Sequence, residues 1–263
     1  EARRKGLWEK LARKERRLEK EQKHLIRDRS EEMAALEEVF DKSTLMTIYN
    51  LINRGVIDQM FGVVKSGKEA KIYWAKGPKG EELAVKIYLT VTAEFKKGML
   101  PYIQGDVRFK HVSRDTRGLI YTWAEKEFKN LTSAYEVGVR VPKPYAVRNN
   151  VLVVEFIGEN GVPAPLLREV ELENPEEIYA TLLQMVKKLY GEAELVHGDL
   201  SEYNVMIHRG EPVLFDLSQA VLLSHPLADQ LLRRDIRNLN RFFSKLGVEV
   251  KPEEEVYRWV LGR

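Results

Sequence analysis

Apolar residues recur along this chain with two periods, and the switches between them mark its elements. Leu45, Ile48, Tyr49 and Ile52 share one face of a helix; the oxygens of Asp41-Lys42-Ser43-Thr44 can cap its start, and Gly55 suits its end. From about Val56 to Tyr88 the pattern shortens to apolar and aromatic runs, among them Lys71-Ile72-Tyr73-Trp74-Ala75 and Leu83-Ala84-Val85-Lys86-Ile87-Tyr88, which predict strands. Thr90 to Gly118 shows no period and contains glycines, so it predicts an irregular, mobile stretch. A helical pattern returns from about Thr122. Val151 to Gly158 is a continuous apolar run of the buried-strand type, ending in glycine. Behind Pro163, Pro165 and Pro175, the positions Ile178, Leu182, Leu183, Met185, Val186 and Leu189 predict a long amphipathic helix. Val205-Met206-Ile207 and Val213-Leu214-Phe215 then flank a Gly-containing turn, as a hairpin does, and two helical stretches follow Pro226.

Residues 1 to about 40 predict an additional helix. Leu11, Leu18 and Leu25 stand seven apart, with Leu7, Trp8, Ile26 and Met33 beside that seam. Arg3, Arg4, Lys5, Lys10, Arg13, Lys14, Arg16 and Arg17 crowd its first half, so it suits either a phosphate backbone or a solvated face above a neighbouring lobe.

Composition narrows the class. A chain of 263 residues with 44% hydrophobic content can build two lobes around a cleft. It has no cysteine, which excludes disulfides and thiolate ligands. No window approaches eighteen consecutive apolar residues and the N-terminus is charged, so the expectation is a cytoplasmic protein with no membrane partner. The 43 Lys and Arg against 40 Asp and Glu leave a net charge of only +3, which by itself announces no nucleic acid. Charged residues at 32% without cysteine are compatible with a heat-adapted source.

The candidate chemistry lies in His197-Gly198-Asp199-Leu200-Ser201-Glu202-Tyr203-Asn204, followed after the hairpin by Phe215-Asp216. Phosphoryl transfer from ATP needs a carboxylate to orient the attacking hydroxyl and hard oxygen ligands for the magnesium or manganese that offsets phosphate charge. The order Asp199, Asn204, Asp216 supplies both, with Asn204 and Asp216 as the metal ligands. Any one of these residues alone reads as an ordinary exposed loop; their joint spacing points to the chemistry. Upstream, Ser66-Gly67-Lys68-Glu69-Ala70 forms a candidate phosphate cradle, and Ala84-Val85-Lys86-Ile87 supplies a candidate ATP lysine, Lys86. Gly62 to Lys68 nearly fits a Walker A loop, but Glu69 stands where that loop needs Ser or Thr, and a strand pattern follows instead of a helix.

These segments, with Trp123-Ala124-Glu125-Lys126-Glu127-Phe128-Lys129-Asn130-Leu131, Asp216-Leu217-Ser218-Gln219-Ala220-Val221 and Leu231 to Phe243, resemble the RIO family of atypical serine/threonine protein kinases, its first Rio branch, over about residues 41 to 250. The resemblance implies an α+β, two-lobed protein-kinase-like fold: an N-terminal helical segment over 1–55, a small antiparallel-sheet lobe over 56–154 and a mainly helical catalytic lobe over 155–263. It places Glu127, in preference to Glu125, opposite Lys86. It sets the backbone of Glu155 and Ile157 against adenine, with Val153 and Ile207 as pocket walls. It further implies ATP with Mg2+ or Mn2+, transient phosphate on Asp216, and a role in maturing the small ribosomal subunit, with ribosomal RNA and proteins as partners. Gly198 where kinases carry arginine, and no A-P-E sequence after Asp216, depart from ordinary protein kinases. Ser113 and Thr116, among Arg108, Lys110, His111, Arg114 and Arg117, are candidate self-phosphorylation sites. Two further readings remain open: an aminoglycoside-type phosphotransferase, which shares the H-G-D loop, and an assembly factor using ATP only as a switch. Asp235, between arginines, reads as a structural ion-pair or capping residue.

Overall fold

A computed structural model describes residue 36 and residues 38–89, 93–109 and 115–262; side chains are described throughout except at 93–95. The N-terminal seam, Ser113 and the basic residues Lys110, His111 and Arg114 lie outside the described residues.

The first described helix, α1 (Lys42–Asn53), starts where Asp41 caps it: its carboxylate accepts the Thr44 N–H at 2.7 Å. Ile48 and Leu51 on its inner face are buried against the sheet, in one core with Ile57, Leu83, Val85 and Ile87. That sheet has five antiparallel strands in the order β1 (Gln59–Ser66), β2 (Ala70–Lys76), β3 (Glu82–Tyr88), β5 (Val151–Glu155), β4 (Pro144–Arg148). Asn149 and Asn150, in the β4–β5 turn, donate to Thr47 Oγ1 and Thr44 Oγ1, which ties α1 to the sheet.

The stretch expected to be irregular contains a helix instead, α2 (Ala93–Ile103), followed by a short 3-10 turn over Val107–Phe109. The glycines, Gly98 among them, read as breakers in the sequence, and Pro101 inside the helix lacks the N–H a helix interior uses. Tertiary packing outweighs that cost: Met99 and Ile103, four apart, are buried with Leu119, Ile120 and Trp123. The next helix, α3 (Thr116–Glu136), begins six residues before the expected Thr122, because Asp115 caps it by accepting the Gly118 N–H at 2.7 Å. Thr116 is therefore the first residue of a helix.

A hairpin, β6 (Gly158–Glu159) and β7 (Val162–Pro163), leaves the end of β5 and is pinned to the sheet lobe. The Asn160 N–H reaches the Glu82 carboxylate at 3.0 Å, and at Gly161, with φ +78, an added Cβ would stand 2.7 Å from the Trp74 ring. The helical lobe follows. It holds α4 (Pro175–Gly191), β8 (Leu195–Val196), β9 (Val205–His208), β10 (Glu211–Leu214), β11 (Val221–Leu222), α5 (Ala228–Lys245) and α6 (Glu253–Val260). Leu182, Val186, Leu189, Leu200, Ile236 and Phe243 lie in its core. Arg209 and Gly210, with φ +55 and +82, make the tight two-residue turn that sets the β9–β10 register.

Candidate active site

The register Val205↔Leu214 has a direct consequence: the Phe215 N–H donates to the Asn204 carbonyl at 3.1 Å, so Asn204 and Asp216 leave the hairpin side by side. Asp216 adopts φ +58, a left-handed conformation that aspartate tolerates better than most residues, and one 3-10 turn (Leu217–Gln219) follows it. Its Oδ1 accepts from Ser218 Oγ at 2.8 Å and from Lys86 Nζ at 3.2 Å. Lys86 on β3 also meets both oxygens of Glu127 on α3, at 3.0 and 2.9 Å, and Tyr88 donates its hydroxyl to the same carboxylate. Tyr88 lies two residues beyond Lys86 and therefore on the same strand face. Glu125 faces outward and pairs with Lys129.

Burial disfavours the Lys86 ammonium, yet Asp216 and Glu127 hold its pKa well above the ordinary value. Burial likewise pushes the Glu127 carboxyl up, while three hydrogen bonds aimed at the anion keep it the partner of Lys86. At Asp216 burial is outweighed by Lys86 and by the Ser218 hydroxyl, and its pKa is lowered. The Asp216 side chain nonetheless keeps 40% of its surface open, on a carboxylate that lines the cleft.

Asp199 lies at the turn before the hairpin. Burial, then the charge of Asp216, raises its pKa, and Asn204 and Arg234 pull the other way. The Asn204 amide donates to the Asp199 carbonyl at 2.7 Å and to its carboxylate at 3.0 Å. That commits the N–H side of the amide and leaves its oxygen for a cation. An amide oxygen and a half-open carboxylate, adjacent on one hairpin, are hard donors that fit Mg2+, which completes its shell with water and phosphate oxygens.

The loop carrying Asp199 hangs from α5. Asp235, buried, accepts the Gly198 and Leu200 N–H groups at 2.8 and 2.9 Å, while Arg234 donates to the Gly198 carbonyl. Asp235, read from the sequence as a structural ion-pair or capping residue, caps two backbone amides; burial pushes its carboxyl up to about 7 against those amides. Gly198 has φ +78, and a Cβ there would stand 3.0 Å from the Gln219 carbonyl. The arginine of ordinary kinases has no room at this backbone. His197 is buried and neutral, its pKa lowered to about 4 by burial, and bridges the Asp199 N–H and the Phe215 carbonyl.

A cleft of about 600 Å³ between the lobes is lined by Lys86, Glu127, Asp216 and Ser218, while Asp199 and Asn204 lie off its lining. Gly67, Lys68 and Glu69 line its roof; the Gly67 N–H closes the β1–β2 turn onto the Ala70 carbonyl, so this loop joins antiparallel strands and is no Walker A loop. Burial, then the charge of Asp216, raises the Glu69 pKa. Glu155 and Ile157 line the rear. One expected cradle residue and two expected wall residues lie elsewhere. Ser66, the last residue of β1, is paired with Lys71 and off the lining. Val154 and Met206 face the cleft where Val153 and Ile207 were expected: Val153 is in the sheet-lobe core and Ile207 packs against the helical-lobe core. Sequence reasoning also missed Tyr88, Ser218, Lys126 and Asn130; for the last two the only signal was their place on the helix of Glu127.

An antiparallel-sheet lobe, a helical lobe and a buried lysine–glutamate pair facing an aspartate define a protein-kinase-type phosphotransferase. The family model of the RIO domain matches residues 71–256. The chain is 42% identical over 246 residues to the RIO-type serine/threonine-protein kinase Rio1 of Methanocaldococcus jannaschii, a match covering 94% of this chain and 82% of that protein. It is 43% identical over 224 residues to the protein of the same name in Haloferax volcanii, covering 85% and 76%. Among solved structures, the Rio2 kinase of Chaetomium thermophilum superposes with a TM-score of 0.64 at 24% identity, covering 81% of this chain and 66% of that one; this likeness bears on the fold. The chain belongs to the RIO family, and with it to the ATP-dependent serine/threonine protein kinases.

Proposed function

We propose that this protein is a RIO-type serine kinase and ATPase of small-ribosomal-subunit maturation, with Asn204 and Asp216 holding the metal and Asp199 orienting the acceptor. The observation that carries the site assignment is the meeting of Lys86, Glu127 and Asp216 at the cleft, with the Asp199–Asn204 pair next to Asp216 through the Phe215 N–H. ATP enters with its purine against the backbone of Glu155 to Ile157 and its phosphates under Gly67 to Glu69, where Lys86 neutralises charge. Mg2+ or Mn2+ bound by Asn204 and Asp216 supplies further positive charge to the phosphate oxygens. Asp199 accepts the proton of a serine hydroxyl as its oxygen bonds to the γ-phosphorus and the bond to the β-phosphate oxygen breaks, releasing ADP. The raised pKa of Asp199 suits a group that must take up a proton.

Asp216 itself is a second acceptor. A Rio2 kinase has been solved as an ADP/Mg2+–phosphoaspartate complex, and here the open face of Asp216 supports the same chemistry, with water then releasing phosphate. Incubation with labelled ATP, followed by acid-labile phosphate mapping, tests this: label on Asp216 supports it, and only acid-stable phosphoserine limits the activity to serine. The ribosomal role rests on the family resemblance. Nucleotide-dependent cosedimentation with small-subunit precursors is the expected outcome; turnover of aminoglycosides without such binding would overturn it.

A further inference from the structure

One buried lysine has no part in the chemistry above; burial, then the neighbouring Arg108 guanidinium, pulls its pKa down to about 7. Lys126, next to Glu127 on α3, is completely buried, and its Nζ reaches the carbonyls of Ser218, at 2.9 Å, and Ala220. Asn130, one helical turn on, donates to the carbonyls of Leu217 and Ala220 at 2.8 and 2.9 Å. Three carbonyls of the turn that begins at Asp216 thus receive donors from the helix that presents Glu127 to Lys86. Arg108, itself paired with Asp106, fixes Asn130 by donating to its Oδ1 at 2.9 Å, and the Trp123 ring lies 5.5 Å from the Lys126 nitrogen.

Satisfying these carbonyls does not require a cation, since neutral amides would do so at a smaller desolvation cost. The long Lys126 side chain instead brings one nitrogen to two carbonyl ends of a short 3-10 turn, and it donates to them in either protonation state. The residue at the head of that turn, Asp216, has the left-handed φ of +58, a conformation that persists when its surroundings over-determine it. In kinases an outward swing of the glutamate-bearing helix breaks the lysine pair. In this chain such a swing would drag the buried Lys126 nitrogen off two carbonyls and carry the Asp216 turn with it.

We propose that Lys126 is a positioning residue that locks the Asp216 carboxylate to helix α3, so that the Lys86–Glu127 pair and the metal site form and break as one unit. This rests on Asp216 as a metal ligand, the reading given above. The test is calorimetry of ADP binding with and without Mg2+, which isolates the gain in affinity the metal confers. Wild type is compared with Asp216→Asn, Lys126→Met and Asn130→Leu. Lys126→Met is expected to cut that gain at least about tenfold, as removing groups behind metal ligands does, and to leave metal-free ADP affinity within about twofold. Asn130→Leu, which removes the neighbouring donor and spares the lysine, is expected to move the same quantity in the same direction, and it decides the matter if Lys126→Met does not fold. An unchanged metal gain in the folded variants, or an equal loss of metal-free affinity, would overturn the coupling. If Asp216→Asn also left the gain intact, the metal-site reading itself would fall; a loss confined to Asp216→Asn would sink only the role of Lys126.

Discussion

His197 and Asp199 show how single residues are set for their parts. The imidazole accepts the Asp199 N–H on Nδ1 and donates from Nε2 to the Phe215 carbonyl, so it bridges the two strands of chain that carry Asp199 and Asp216 only while neutral. The unfolded imidazole binds a proton near pH 6.5 and the folded one only near 4, so between those values the folded state loses up to about 3 kcal/mol of stability as pH falls. Asp235, raised to about 7, works in the opposite direction: the folded carboxyl takes up its proton first, and acidification from 7 towards 4 favours the fold. Site-resolved NMR separates the two. His197 is expected to stay neutral with its proton on Nε2 at pH 5.5; an imidazole titrating near 6.5 would contradict the bridge. Asp199→Ala is expected to abolish serine phosphorylation and spare nucleotide affinity, and kinetics showing an equal loss of both would remove its orienting role. At Gly198 the added methyl of Gly198→Ala meets the Gln219 carbonyl, with an expected stability loss of about 1–3 kcal/mol in thermal unfolding. At this scale the sequence left some things dark. Val151 to Phe156 is apolar nearly throughout, so alternation could not say that Val154, and not Val153, faces the cleft, and the same ambiguity hid Met206 beside Ile207.

Elements carry the site through their junctions. The β9–β10 hairpin and α1 were plain in the sequence, because turn and cap chemistry frame a clear apolar period at each. Helix α2 was not, since its Gly98 signals a break and only the packing of Met99 and Ile103 reveals otherwise. Lys126 and Asn130 were equally hidden: on a helix rich in charge nothing local distinguishes an inward lysine from an outward one. The pairing of α3 with β3 also has a measurable effect. Lys86 is shared between Glu127 and Asp216, so Glu127→Gln leaves the ammonium to Asp216 alone, where it competes with the metal. The half-saturating Mg2+ concentration for ATP turnover is expected to rise about tenfold, equivalent to about 1.4 kcal/mol. An unchanged requirement would mean that the two carboxylates act independently.

In the whole molecule, the α+β, two-lobed architecture is the one the RIO resemblance implied, and the cleft lies where the two lobes meet. Ligands that bridge lobes stabilise both, so ADP at a hundredfold excess over its dissociation constant should add about 2.7 kcal/mol and raise the melting temperature by several degrees. Mg2+ should enlarge that shift in wild type and not in Asp216→Asn. The decisive observation is crystallographic: the protein grown with a nonhydrolysable ATP analogue and Mn2+, read by anomalous scattering. One manganese peak is expected within about 2.2 Å of both the Asn204 amide oxygen and an Asp216 carboxylate oxygen, beside the phosphates and Lys86. Nucleotide in the cleft with manganese bound away from that pair would contradict the site described here.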